Sequence, residues 1–184
     1  RLSQFGDQTN KEWTSLVNSL SLQIQQALPA GRQDSSVKGL ILDLRNNPGG
    51  YLTDAVFIAS EFLNERKTVV FEERYDSKRA SLVTRKGYFT KIPLIILINK
   101  GSASASEIVA AAMQDNNRAI LIGETSFGKG SIQMAEDLGG GGGLHITIAK
   151  WLRPKGTWIN GKGLKPDIEV KPDEKSKDRD TQLE

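Results

Sequence analysis

Three short loops in this sequence hold residues that could do chemistry. Gly101-Ser102-Ala103-Ser104-Ala105-Ser106-Glu107 sets serines among small residues, directly after the apolar run Leu94-Ile95-Ile96-Leu97-Ile98 and ahead of a helical stretch. A hydroxyl there lies near backbone N–H groups and the positive end of a helix dipole, where it can serve as a nucleophile. A serine at a helix start is also an ordinary N-cap. Phe127-Gly128-Lys129-Gly130 places one lysine between two glycines, which reads either as an exposed turn or as an amine held for a purpose. Asn46-Asn47-Pro48-Gly49-Gly50 closes another strand-like run, and its glycines let backbone approach a ligand and aim amides at it, or simply turn the chain.

Taken together the three loops suggest one chemistry. In an open α/β sheet, loops at successive strand ends meet, and sites form there. A free lysine has a pKa near about 10.4, and desolvation favours its neutral amine. Such an amine within hydrogen-bond reach of a serine hydroxyl can take its proton as the oxygen attacks a carbonyl. Gln133, four residues beyond Lys129, is a neutral amide that could orient the amine without fixing its charge.

Other chemistries are disfavoured by composition. The chain has no cysteine, which removes disulfides, thiolate metal sites and Cys nucleophiles. Its one histidine, His145, sits in an alternating strand pattern and reads as a strand residue, so a Ser-His-Asp triad is not expected. No tight Asp/Glu cluster suggests a metal, and no cofactor is expected. The net charge of +3 comes from basic residues scattered among acids, not from a stripe interleaved with aromatics, so nucleic acid is not an expected partner. No run of about 18 apolar residues could span a membrane.

The elements that must position the loops can be read in order. Thr9-Asn10-Lys11-Glu12 has capping-box spacing, and Trp13, Leu16, Val17, Leu20, Ile24 and Leu28 follow at helical intervals. That helix is expected to end before Pro29, with a polar turn over Arg32 to Ser36. Val37 to Leu44 reads as a buried strand, Thr53 or Asp54 as the cap of a second helix, and Thr68 to Phe71 as a strand. Glu72 to Lys91 reads as a loop or hairpin, Leu94 to Ile98 as the strongest strand, Ala105 to Asn116 as a helix, and Ala119 to Ile122 as a strand. Ser131 to Met134 and Leu144 to Trp151 read as strands flanking five glycines, with Leu144, Ile146 and Ile148 expected on one buried face. From Lys171 the chain is polar and charged and is expected to fray. Two domains of interest follow: a folded core over 1–170 and a tail over 171–184.

Four segments make the reading specific: Ile41-Leu42-Asp43-Leu44-Arg45-Asn46-Asn47-Pro48-Gly49-Gly50; Gly101 to Ile108 with Gln114-Asp115; Gly123-Glu124-Thr125 with Phe127 to Gln133; and Gly163-Leu164-Lys165-Pro166-Asp167-Ile168. In this order and spacing they resemble the C-terminal processing (tail-specific) peptidases, the S41 family of serine proteases. The resemblance implies Ser104 as nucleophile, Lys129 as general base, Gln133 as supporting amide, and an oxyanion hole at the backbone N–H groups of Ala105 and of the diglycine at Gly50. It places Asp115 as structural support. It implies the α/β fold of the crotonase/ClpP-like ββα superhelix with appended β-strands. The implied substrates are protein or peptide C-terminal tails, with an extracytoplasmic setting. A PDZ domain and a signal or anchor ahead of the core are also implied. A homo-oligomer is compatible with all of this.

Two other readings share the fold: a non-catalytic ligand-binding module, and a crotonase-like hydratase or thioesterase. The first need not keep Ser104, Lys129 and Gln133 together, and the second would call for an acidic pair that the loops lack. Because the two oxyanion donors sit on different loops, the core without a PDZ domain is expected to cleave weakly. Lys129 Nζ is then expected more than about 3.2 Å from Ser104 Oγ, or the Gly50 amide turned away.

Overall fold

The computed structural model describes residues 1–26, 37–172 and 180–183. Its elements run α1 (Thr9–Gln26), β1 (Leu40–Asp43), α2 (Leu52–Phe62), β2 (Thr68–Glu73), β3 (Lys78–Leu82), β4 (Leu94–Ile98), α3 (Ala105–Asp115), β5 (Ile120–Gly123), β6 (Ser131–Gly139), β7 (Gly142–Leu152) and β8 (Ile168–Glu169). A parallel sheet has the order β1-β4-β5-β8, and an antiparallel sheet the order β3-β2-β7-β6. The fold is mixed α/β with extra strands, as the sequence indicates.

The parallel sheet grows from short apolar runs without alternation, the pattern of strands covered on both faces. Central β4 buries Leu94, Ile96, Leu97 and Ile98, whereas β1 at the edge leaves Ile41 exposed. Every residue of α3 from Ala105 to Met113 is buried, and a helix buried all round belongs to the interior. It packs on α2, on β5 of the parallel sheet and on β2 of the antiparallel one, with Ala110, Ala111 and Ala112 allowing close approach. The core therefore lies around α3, between the two sheets.

Several local expectations are corrected. The Thr9–Glu12 capping box does not form. Thr9 Oγ1 accepts from Gly6 N (2.7 Å), and Glu12 N donates to Gln8 O (2.9 Å), so the turn before the helix already supplies the acceptor. On α1, Val17 is buried, Trp13, Leu20 and Ile24 are half-buried, and Leu16 is exposed. Leu28 and the Arg32 to Ser36 turn lie outside the described residues. The N-cap of α2 is Tyr51; Thr53 and Asp54 fall inside its first turn, and Asp54 accepts from Asn10 Nδ2 of α1 (3.1 Å). The Glu72 to Lys91 region contributes a hairpin, β2 against β3.

The glycine run is shared between strands and turn. Gly139 ends β6 and Gly142 starts β7, with Gly139, Gly140 and Gly141 at φ of 75°, 62° and 84°, a path only glycine follows easily. Leu144 and Ile146 do not face a core: they are 48% and 40% exposed, and the buried residues of β7 are Ala149, Trp151 and Leu152. The β6–β7 hairpin extends past the sheet, so only its base meets the interior. The frayed-tail reading is corrected over residues 180–183. Asp180 pairs with Arg45 (2.8 Å), Gln182 is buried, and its Nε2 donates to Val170 O (2.6 Å).

Candidate active site

β1, β4 and β5 run parallel and adjacent, so the loops that leave their C-terminal ends meet. Asn46 and Asn99 lock the first two loops together: Asn46 N donates to Asn99 Oδ1 (2.8 Å), and Asn99 Nδ2 returns a bond to Asn46 Oδ1 (2.9 Å). Asn47 is fully buried and works as a hub. Its Oδ1 accepts from Gly49 N (2.9 Å), its Nδ2 donates to Leu2 O (2.9 Å), and its carbonyl accepts from Ala103 N (3.0 Å) and Ser106 Oγ (2.9 Å).

The diglycine lies directly on the serine loop. A Cβ on Gly49 would stand 2.6 Å from Ala103 O, 2.7 Å from Ser104 Cβ and 2.8 Å from Ala105 N, and its φ is 95°. A Cβ on Gly50 would fall 1.9 Å from Phe5 O. Among the described residues, neither Gly50 N nor Ala105 N donates to a backbone or side-chain acceptor outside regular elements. The diglycine is thus packed against Ser104 and the first amide of α3.

The three serines of the loop differ in what their hydroxyls do. Ser102 is buried, donates to Leu44 O (2.8 Å) and accepts from Asn99 N (3.0 Å). Ser106 is buried and donates to Asn47 O. Ser104 is half-buried at the N-cap of α3, with φ 55° and ψ −116°. That left-handed φ is uncommon for a residue with a side chain and is a form of strain that gathers at functional sites.

Lys129 is gripped by its backbone. Its N–H donates to Glu107 Oε2 (2.9 Å), and its carbonyl accepts from the indole of buried Trp151 (2.7 Å). A Cβ on Gly128 would meet Gly163 N at 2.6 Å, and one on Gly130 would meet Asn160 Cβ at 2.9 Å. The glycines on either side are thus closely packed, and the half-buried Lys129 side chain projects between them. Among the described residues, Lys129 Nζ has no hydrogen bond to Ser104 Oγ and no carboxylate within ion-pair distance.

Gln133 lies on β6 opposite Thr147, just past a bulge, with its side chain exposed and without a hydrogen bond among the described residues. Among the described residues it makes no hydrogen bond to Ser104 or Lys129. Asp115, at the end of α3, forms an ion pair with Arg153 and accepts from Lys155 N (3.0 Å), tying α3 to the segment after β7. His145 is exposed on β7. No group of three or more potential metal ligands occurs among the described residues.

Sequence reasoning passed over two hubs. Glu107 is fully buried and accepts from Ser104 N (2.8 Å), Gly128 N (2.6 Å), Lys129 N and Ser126 Oγ. Its signal was present, since Ser104-x-x-Glu107 has capping-box spacing. Asn47 had none beyond its place in a turn. Ser126 in turn accepts from Leu164 N (2.7 Å), which gives the Gly163 to Ile168 segment its purpose: it props the lysine loop from behind.

The family model for peptidase family S41 matches residues 1–170. The chain belongs to peptidase family S41. Among its S41 relatives, it is 36% identical over 171 residues to the carboxy-terminal processing protease CtpA of Bacillus subtilis, covering 92% of this chain and 34% of that protein. It is 42% identical over 177 residues to the carboxy-terminal-processing protease of Bartonella bacilliformis, covering 92% and 38%. Its fold superposes on the photosystem II D1 C-terminal processing protease with a TM-score of 0.77 at 34% identity, over 93% of this chain and 41% of that one. The chain spans well under half the length of these relatives.

Proposed function

We propose that this chain is the catalytic core of a serine endopeptidase that cleaves proteins near their C-termini through a Ser104–Lys129 dyad. The observation that carries the assignment is the division of labour among the serines. Ser102 and Ser106 spend their hydroxyls on buried backbone carbonyls, while Ser104 stands at a strained positive φ with the diglycine packed against it. In this reading Lys129, as the neutral amine, takes the proton of Ser104 Oγ while the oxygen attacks the scissile carbonyl carbon. The oxyanion accepts from Ala105 N–H and Gly50 N–H, each such donor contributing about 3 kcal/mol to the transition state. The lysine ammonium then protonates the departing amine; in the second half Lys129 Nζ takes a proton from the water that attacks the acyl carbon and returns it to Ser104 Oγ as the acyl–oxygen bond breaks.

The absence of a carboxylate beside Nζ among the described residues suits a base that must be neutral. Gln133 is assigned the orienting amide, which requires its exposed side chain to turn toward Lys129 when substrate is bound. Asp115 acts at a distance, through Arg153. The whole protein is proposed to recruit substrate tails through a PDZ domain and to work outside the cytoplasm, consistent with the lack of cysteine.

The test uses the full-length protein and a peptide substrate. Ser104→Ala should abolish cleavage and keep the fold, whereas Ser102→Ala and Ser106→Ala should retain cleavage. Lys129→Arg keeps the charge and loses the titratable amine, so it should also be inactive. Normal turnover by Ser104→Ala or Lys129→Arg would refute the dyad.

A further inference from the structure

We infer that Glu107 is a positioning residue that fixes nucleophile and base to each other through a single carboxylate oxygen. The inference rests on the dyad reading for its catalytic meaning, but its geometry stands independently. Oε2 accepts from both Ser104 N (2.8 Å) and Lys129 N (2.9 Å), so the two amides share one atom. Oε1 accepts from Gly128 N and Ser126 Oγ, completing the set on the other side. All the neighbours are donors, which is what an ionised carboxylate needs, since it accepts only. The group is fully buried at the third position of α3, where the helix dipole favours a negative charge.

Ser104 and Lys129 lie 25 positions apart in the sequence on loops from different strands. Among the described residues no side-chain bond joins Oγ to Nζ, and the shared oxygen links the two backbones through two hydrogen bonds. A shift of about 1 Å between reacting groups costs about a hundredfold in rate. Glu107 thus sets kcat without touching substrate. It also leaves Nζ unpinned, because its charge is spent on amides and a hydroxyl.

Glu107→Gln is nearly isosteric and still cannot replace it. With its NH2 in the place of Oε1 it meets Gly128 N–H; in the place of Oε2 it meets the N–H groups of both Ser104 and Lys129. A donor faces a donor either way.

Two measurements test the inference. On the unsubstituted chain, isotope-labelled, scalar couplings across hydrogen bonds should connect both Ser104 N and Lys129 N to the Glu107 carboxyl carbon. Absence of either coupling overturns the bridge, whether or not Ser104 proves to be the nucleophile. In the full-length protein, Glu107→Gln should lower kcat about a hundredfold while KM stays within about twofold. Ser126→Ala, which leaves the Oε2 bridge intact, should keep kcat within about tenfold of wild type. Unchanged kcat in Glu107→Gln, or an equal loss in Ser126→Ala, overturns the positioning role. If Ser104→Ala is active while both couplings are present, the dyad reading fails and the bridge remains.

Discussion

At the scale of single residues, the proposed site separates groups assigned the chemistry from groups that hold them. Ser102 and Ser106 look like Ser104 in sequence, and only their partners tell them apart: Leu44 O and Asn47 O are buried carbonyls that each take a hydroxyl. Each carbonyl also accepts a backbone N–H, from Asn47 and Ala103 respectively, so removing either hydroxyl costs one buried hydrogen bond, about 0.5–1.5 kcal/mol. Ser102→Ala and Ser106→Ala should therefore lower the midpoint of denaturant unfolding, while Ser104→Ala should not; equal midpoints in all three would contradict the bonding described. The loops that carry Ser104 and Lys129 were legible because small-residue loops after apolar runs are conspicuous. Asn47 and Glu107 were not assigned, because a buried polar group declares itself only through the donors that surround it, and those come from distant positions.

At the scale of elements, β1, β4 and β5 of the parallel sheet were legible, and the helix caps and the exposure of the long hairpin were not. Leu94 to Ile98 needs no tertiary information to read as a strand, and it sits at the sheet centre. The α1 cap failed because Gln8 O, one residue upstream of the expected cap, was already placed to accept. The buried face expected of β7 failed because alternation gives two faces and does not say whether either meets a core. The loops carry the tightest constraint. Gly49→Ala would bring a methyl within 2.8 Å of three atoms of the serine loop at a φ of 95°. Such strain costs about 1–3 kcal/mol, and its relief must push the diglycine away from Ala105. We expect the unfolding midpoint to drop modestly and peptide turnover to fall by two to three orders of magnitude, roughly the loss of one oxyanion donor. A variant with full turnover would show that the diglycine does not serve the site.

At the scale of the whole molecule, a charge network joins the beginning and end of the described chain. Arg45 binds Asp43 through paired bonds (2.9 and 2.8 Å) and reaches Asp180 and Gln182 from the returning end. Burial pushes the Asp43 carboxyl up, but its bonds from Arg45 outweigh that and hold it below the usual value. Asp180 is also lowered, by its bond from Arg45. A carboxyl depressed in the folded state stabilises above its unfolded pKa, about 3.9, and that stabilisation is lost as pH falls through the folded value. Asp43→Asn should therefore be less stable than wild type at pH 6, and the gap should close as the pH is taken below about 4. A gap that is constant across that range in equilibrium unfolding would rule out the linkage. The family match ends at residue 170, and nothing in the polar run beyond it announces a return to Arg45, since one ion pair and one buried amide leave no periodic mark.

The left-handed backbone at Ser104 sets stability against activity at one position. Glycine would adopt that φ without strain and would lack the hydroxyl, so the substitution that best suits the fold is one that ends the chemistry. The rest of the loop, through Glu107, Asn47 and Ala103, holds the residue where it would not settle alone. Ser104→Gly would thus relax the backbone and remove the hydroxyl in one step, coupling a gain for the fold to the loss of the group assigned the chemistry.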